Sequence, residues 1–163
     1  MKAALQELLR GKGAHVDPVS CVEGLSLQVA TAKIAGYPHA IAQIVGHMKY
    51  WMEYELKRMA GERPAYPEHA IESWPADGSY DEGKWKAEAA RFASLLEKFG
   101  DLAKWDDGRL DRPVEKMHTS EGEATVREVL WQMMAHNSYH VGQVAMLRRC
   151  LGAWPVRGGG DTW

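Results

Sequence analysis

Two histidines four residues apart, His136 and His140, lie in the run Ala-His-Asn-Ser-Tyr-His-Val-Gly-Gln from Ala135 to Gln143. At about 100° per residue, Val129, Met133, His136, His140, Val144, Leu147 and Leu151 fall within roughly 60° of one line down a helix. Both imidazoles therefore belong to an apolar stripe, one turn apart, and can reach a single metal ion. His47 is the candidate for a third ligand. Its segment, from about Pro38 to Ala60, has helical period, with Ile41, Ile44, Met48 and Trp51 facing inward and His47 on the flank of that arc. A lone histidine on an apolar face is usually a hydrogen-bonded core residue. Three on two facing stripes, with no carboxylate there to satisfy them, favour a metal.

Those histidines need helices to hold them. A first short helix spans about 2–10 and stops at Gly11-Lys12-Gly13, and a second helical stretch runs from about Val19 to Ala35 after Asp17-Pro18. The helix from Pro38 carries proline in its first turn and ends at Gly61. Residues 62–79 hold Pro64, Pro67 and Pro75 and read as an irregular loop. Helix resumes from about Asp81 to Lys104, burying Trp85, Ala89, Phe92, Leu95, Leu96 and Phe99. Residues 106–123 are polar and turn-rich. The last helix starts at Thr125, an N-cap with Glu128 as its capping-box partner, and continues to Leu151. No segment has strand period. Four long helical segments plus a short N-terminal helix predict an all-α protein, a four-helix bundle, in one domain over 1–163 with a loose tail from about 155.

Composition narrows the function classes. The chain has 163 residues and a net charge of −2, with lysines and arginines scattered, so nucleic acid is not an expected partner. No apolar run has the length of a membrane span, and the charged N-terminus is unlike a signal peptide. Cys21 and Cys150 form no Cys-x-x-Cys unit, and Cys150 reads as a small buried hydrophobe. A reducing cytoplasm fits this usage. His15, His39, His69 and His118 read as surface residues, with His15 the one to watch. Trp51 and Tyr139 are packing residues or pocket lining. Asn137 and Gln143 are second partners that fix a histidine tautomer, or ordinary polar residues at a rim.

The segment Gly46-His47-Met48-Lys49-Tyr50-Trp51, together with His136 to Gln143 and its continuation through Leu147-Arg148-Arg149 to Trp154-Pro155, resembles the DinB/YfiT-like superfamily. Gly13-Ala14-His15-Val16 and Trp74-Pro75 are similar to one DinB-like subgroup, so the likeness covers nearly the whole chain. It implies a four-helix bundle, frequent homodimers, and a divalent metal on His47, His136 and His140, with His15 near the pocket mouth. Characterised members include thiol-dependent transferases and isomerases that use mycothiol, bacillithiol or glutathione.

Three neutral nitrogen ligands leave a coordination position open, as in catalytic sites. Such a position favours the thiolate of a bound low-molecular-weight thiol, or lowers the pKa of water for hydrolysis. The helix carries His-Asn-Ser-Tyr-His and lacks the glutamate base of His-Glu-x-x-His peptidases, which tilts the reading toward a thiol attacking an electrophilic small molecule. A metal-dependent hydrolase, or a metal-binding stress-associated protein without turnover, is the alternative. Imidazole ligation suits zinc or nickel first, then iron, manganese or copper.

Overall fold

The computed structural model describes residues 2–114 and 124–156. Three long helices dominate: α4 (Ile41–Met59), α5 (Glu82–Leu102) and α7 (Val126–Cys150). Shorter ones precede and separate them, namely α1 (Lys2–Leu9), α2 (Pro18–Val22), α3 (Leu27–Thr31) and α6 (Asp107–Leu110). Helix α4 packs on α5 and α7, while α1 and α2 pack on α5 and α7 from the other side and close the bundle. Met48, Met52, Phe92, Leu95, Phe99, Leu130 and Val144 fill the core between them. The fold is an all-α bundle, and no helix of the described residues is long and apolar enough to cross a membrane.

Local chemistry sets the helix ends. Thr125 and Glu128 form the expected capping box, with Thr125 N donating to Glu128 Oε2 at 2.7 Å and Glu128 N to Thr125 Oγ1 at 3.2 Å. Asp81 caps α5 by accepting from Lys84 N at 2.8 Å. Helix α4 starts three residues later than its proline suggests. Pro38 lies before the helix, Ala40 is its extended N-cap, and the Gln43 side chain accepts from Ala40 N at 3.0 Å. Because Gln43 Nε2 also donates to the Pro75 carbonyl at 2.8 Å, this start is tied to the loop after α4.

Two expectations about elements need correcting. The stretch from Val19 to Ala35 is not one helix: Gly24 takes φ +74°, and Asp17 and Ser26 cap two separate five-residue helices. A two-residue antiparallel ladder also exists, β1 (Pro113–Val114) with β2 (Ala124–Thr125), too short to carry strand period. It delivers Thr125 to the start of α7. Cys150 is exposed and not buried as expected: at the end of α7 it lies about 80° off the line of the apolar stripe, while its neighbour Leu151 still packs against the core. His118 and tail residues 157–163 lie outside the described residues.

Arg148 holds the short helices in place. Its buried guanidinium donates to the carbonyls of Cys21 (2.9 Å) and Glu23 (3.3 Å) at the end of α2, and to that of Ala153 (2.9 Å). An aliphatic replacement leaves these carbonyls without their donor, at about 1–3 kcal/mol for each buried one. Arg148→Leu should therefore cost about 3 kcal/mol and lower the thermal midpoint by roughly 6–12 °C. A melting curve within 2 °C or so of the parent would contradict this role.

Candidate metal centre

His47 projects from α4, and His136 and His140 from adjacent turns of the α7 stripe. Their ligand atoms all lie within 4.8 Å of one another. His47 and His140 are buried and His136 is half-buried. Each ring uses one nitrogen outward and turns the other to the centre. His47 Nδ1 is 2.9 Å from Ser73 Oγ, and Ser73 gives its own proton to the Ala70 carbonyl at 2.8 Å. The serine oxygen must then accept, which places a proton on His47 Nδ1 and leaves Nε2 bare. Gln143 Oε1 accepts from His140 Nδ1 at 2.7 Å, with the same result. Asn137 Oδ1 faces His136 Nδ1 at 3.3 Å, while its amide nitrogen donates to Met52 Sδ at 3.4 Å. Asn137 and Gln143 thus stand where tautomer-fixing partners were expected.

The consequence is a cluster of bare nitrogens. His47 Nε2 and His136 Nε2 are 3.3 Å apart with no proton assigned between them. Two lone pairs at that distance repel, and a cation between them turns repulsion into attraction. Tetrahedral zinc with bonds of about 2.05 Å would set two nitrogens about 3.3 Å apart. The residues present fit a divalent metal.

The family model of the DinB superfamily matches residues 19–144. The chain belongs to the DinB superfamily. None of the curated proteins matches it. In this DinB chain the matched span takes in all three histidines and their partners.

The loop after α4, containing a 3-10 turn at Ala70–Ser73, is a strap across the centre. It supplies Ser73 and also Trp74, whose indole stacks on His47 at 3.8 Å and on His39 at 3.7 Å. Sequence reasoning missed both roles because a proline-rich loop has no periodicity to mark a face. The available signal was Gly46. Glycine in a helix interior costs about 1 kcal/mol against alanine, so it marks a close approach. A Cβ here would collide with Pro75 and the Tyr80 hydroxyl. Behind Tyr80, Glu88 accepts from that hydroxyl at 3.1 Å and from Lys49 at 2.9 Å, fixing the strap's far end to α5.

Other candidate residues divide. Trp51 stands edge-on to His47 at 6.4 Å, and Tyr139 edge-on to His140 at 5.1 Å, so both border the centre. His15 does not join them through a hydrogen bond. Its ring lies between Ser138 Oγ and the Val16 carbonyl, both at 2.8 Å, and ties the N-terminal segment to α7. His69 is exposed as expected, whereas His39 is half-buried against Trp74. Sequence reasoning also missed a buried ion pair on α4, Glu55 with Arg58 at 2.6 Å. An apolar cavity of about 510 Å3, lined by Val22, Leu25, Trp85 and Phe92 among others, includes none of the three histidines.

Burial keeps the cluster neutral. It pushes His47 down to about 3, helped by His140 and His136 and opposed by Ser73. It pushes His140 down to about 4 against the Gln143 bond, and it lowers His136 against Asn137. Neutral imidazole is the form that ligates a metal. The Cys21 thiol, pushed up to about 12 by burial, is not available as a nucleophile.

Proposed function

We propose that this protein is a metal-dependent enzyme that transfers a small external thiol to an electrophilic small molecule, with His47, His136 and His140 as the metal ligands. The observation that carries it is the convergence of three bare imidazole nitrogens whose outer nitrogens all face acceptors. A bound divalent ion, zinc or nickel first, would supply Lewis acidity and favour a thiol as its thiolate at neutral pH.

The protein's own residues do the rest. Ser73, Asn137 and Gln143 hold the rings in the ligating tautomer, and the Trp74 indole covers one face of His47. No carboxylate is a hydrogen-bond partner of the three rings among the described residues, so a reaction that needs no strong protein base suits the site. A thiol meets that condition. Its proton passes to water, its sulfur bonds the electrophilic carbon, and the leaving group departs with the electrons of the broken bond.

Neither cysteine supplies the sulfur. Cys21 is buried, and Cys150 follows His140 by ten residues, about 15 Å along the helix. Metal analysis followed by a screen of thiol and electrophile pairs tests the proposal. Activity should need both the metal and an added thiol, and should survive Cys21→Ser with Cys150→Ser. Loss of activity in a folded double variant would sink the external-thiol scheme. Metal-dependent hydrolysis without thiol would replace it with a hydrolase, and a loaded protein inert to every pair would leave a metal-binding role. A homodimer belongs to the same proposal; light scattering that shows only monomer at micromolar concentration counts against it.

A further inference from the structure

Aromatic rings border the histidine cluster on both helices and on the strap. Trp51 lies beside His47, and Tyr66 and Tyr54 lean on Trp51 with ring centroids 5.6 Å and 5.4 Å away. From α7, Tyr139 flanks His140. Tyr139, beside His140, is 66% exposed, and Tyr66, behind Trp51, is 39% exposed, so large ring surfaces around the centre stand open to solvent instead of completing the core. Exposed rings grouped around a polar cluster mark a ligand surface better than scattered ones do.

The charges are equally informative. The hydrogen-bond partners of the His47, His136 and His140 rings are Ser73, Asn137, Gln143 and one another, with no lysine, arginine or carboxylate bonded to them among the described residues. A divalent ion held by these three neutral ligands would keep its charge of about +2, since none of the ligands is a carboxylate. An anionic head group can neutralise it. A second anion farther along the ligand would lie on the aromatic surface without a partner and lose its hydration. A cation would gain from the ring faces but would be repelled by the metal.

Resting on the thiol-transfer reading above, we infer that the centre selects ligands with a metal-seeking head and a neutral, apolar, ring-bearing tail, which packs against Tyr139 and Trp51. Offset or edge-on packing of rings is the interaction these side chains already make with one another.

Cobalt(II)-loaded full-length protein tests this through the thiolate-to-cobalt absorption band. The probes are phenylmethanethiol, 2-mercaptoethanesulfonate and cysteamine, whose tails are neutral, anionic and cationic. Phenylmethanethiol should bind at least about tenfold more tightly than either charged probe. Tyr139→Ala, a change at an exposed position, should cut that preference to about threefold or less, and Tyr139→Phe should retain it. Cobalt content should be unchanged in both variants. Equal affinities for the three probes overturn the inference, as does a preference that survives both Tyr139→Ala and Trp51→Leu. A protein that takes up no cobalt fails earlier, at the metal reading itself, and removes the inference with it.

Discussion

Replacing His47, His136 or His140 with alanine should lower divalent-metal affinity by more than the 10–100-fold typical of losing an outer hydrogen-bond partner of a ligand. Ser73→Ala should show that smaller loss, because it frees the His47 Nδ1 proton without removing a ligand. The effect extends to stability. An ion at about a thousandfold excess over its dissociation constant adds about 4 kcal/mol to the folded state. For a chain of this size that raises the melting midpoint by roughly 8–16 °C. The wild-type protein should show such a rise on adding zinc or nickel, and each alanine variant should not. Far-ultraviolet circular dichroism should remain helical throughout. A triple alanine variant that still holds stoichiometric metal would refute the assignment.

The metal-free protein should lose stability as pH falls from about 6.5 toward 4. In the unfolded chain histidine titrates near 6.5, whereas the fold pushes His47 down to about 3 and His140 to about 4. Between these values the unfolded chain binds protons that the folded chain refuses. Stability is therefore full above the unfolded value and falls with pH by up to about 1.4 kcal/mol per unit for each histidine. Asp17, held low by Arg10 against its own burial, contributes stability that is lost only in more acid solution. Glu55, pushed up by burial, acts in the opposite sense and blunts the slope. Denaturant titrations of chelator-treated protein across pH 4.5 to 7.5 measure the balance. His47→Ala should flatten the acid limb, and a wild-type stability that is level across this range would contradict the buried neutral cluster.

How much of this was readable follows from periodicity. Helices α4, α5 and α7 carry long apolar stripes, so their extents and the inward placement of His47, His136 and His140 follow from a period of 3.6. The capping box at Thr125 follows from two residue types at a fixed spacing. Short elements have no such redundancy. The break at Gly24 depends on a single left-handed residue, and β1 with β2 on two residues each. Trp74-Pro75 was marked only by resemblance, and the roles of Ser73 and Trp74 at the centre were illegible for another reason: they depend on the close approach of the strap to Gly46. Cys150 was misplaced because it sits at the edge of the α7 stripe, where helical phase leaves burial undecided.

The strap divides into two parts with different freedom. From Ser73 to Tyr80 it is pinned by His47, the Gln43 amide, the bare Cα of Gly46 and the Glu88 carboxylate. From Gly61 to His69 it is largely exposed, with only Pro67 buried and Pro64 half-buried, while Tyr66 reaches the rings beside the centre. Exposed backbone of this kind accommodates changes of length and sequence that pinned backbone does not. If the proposed function holds, the outer half can therefore be recut, altering the ring of Tyr66 beside Trp51, while the histidines and the serine behind them stay undisturbed. On that reading, selectivity and metal retention would be separable traits.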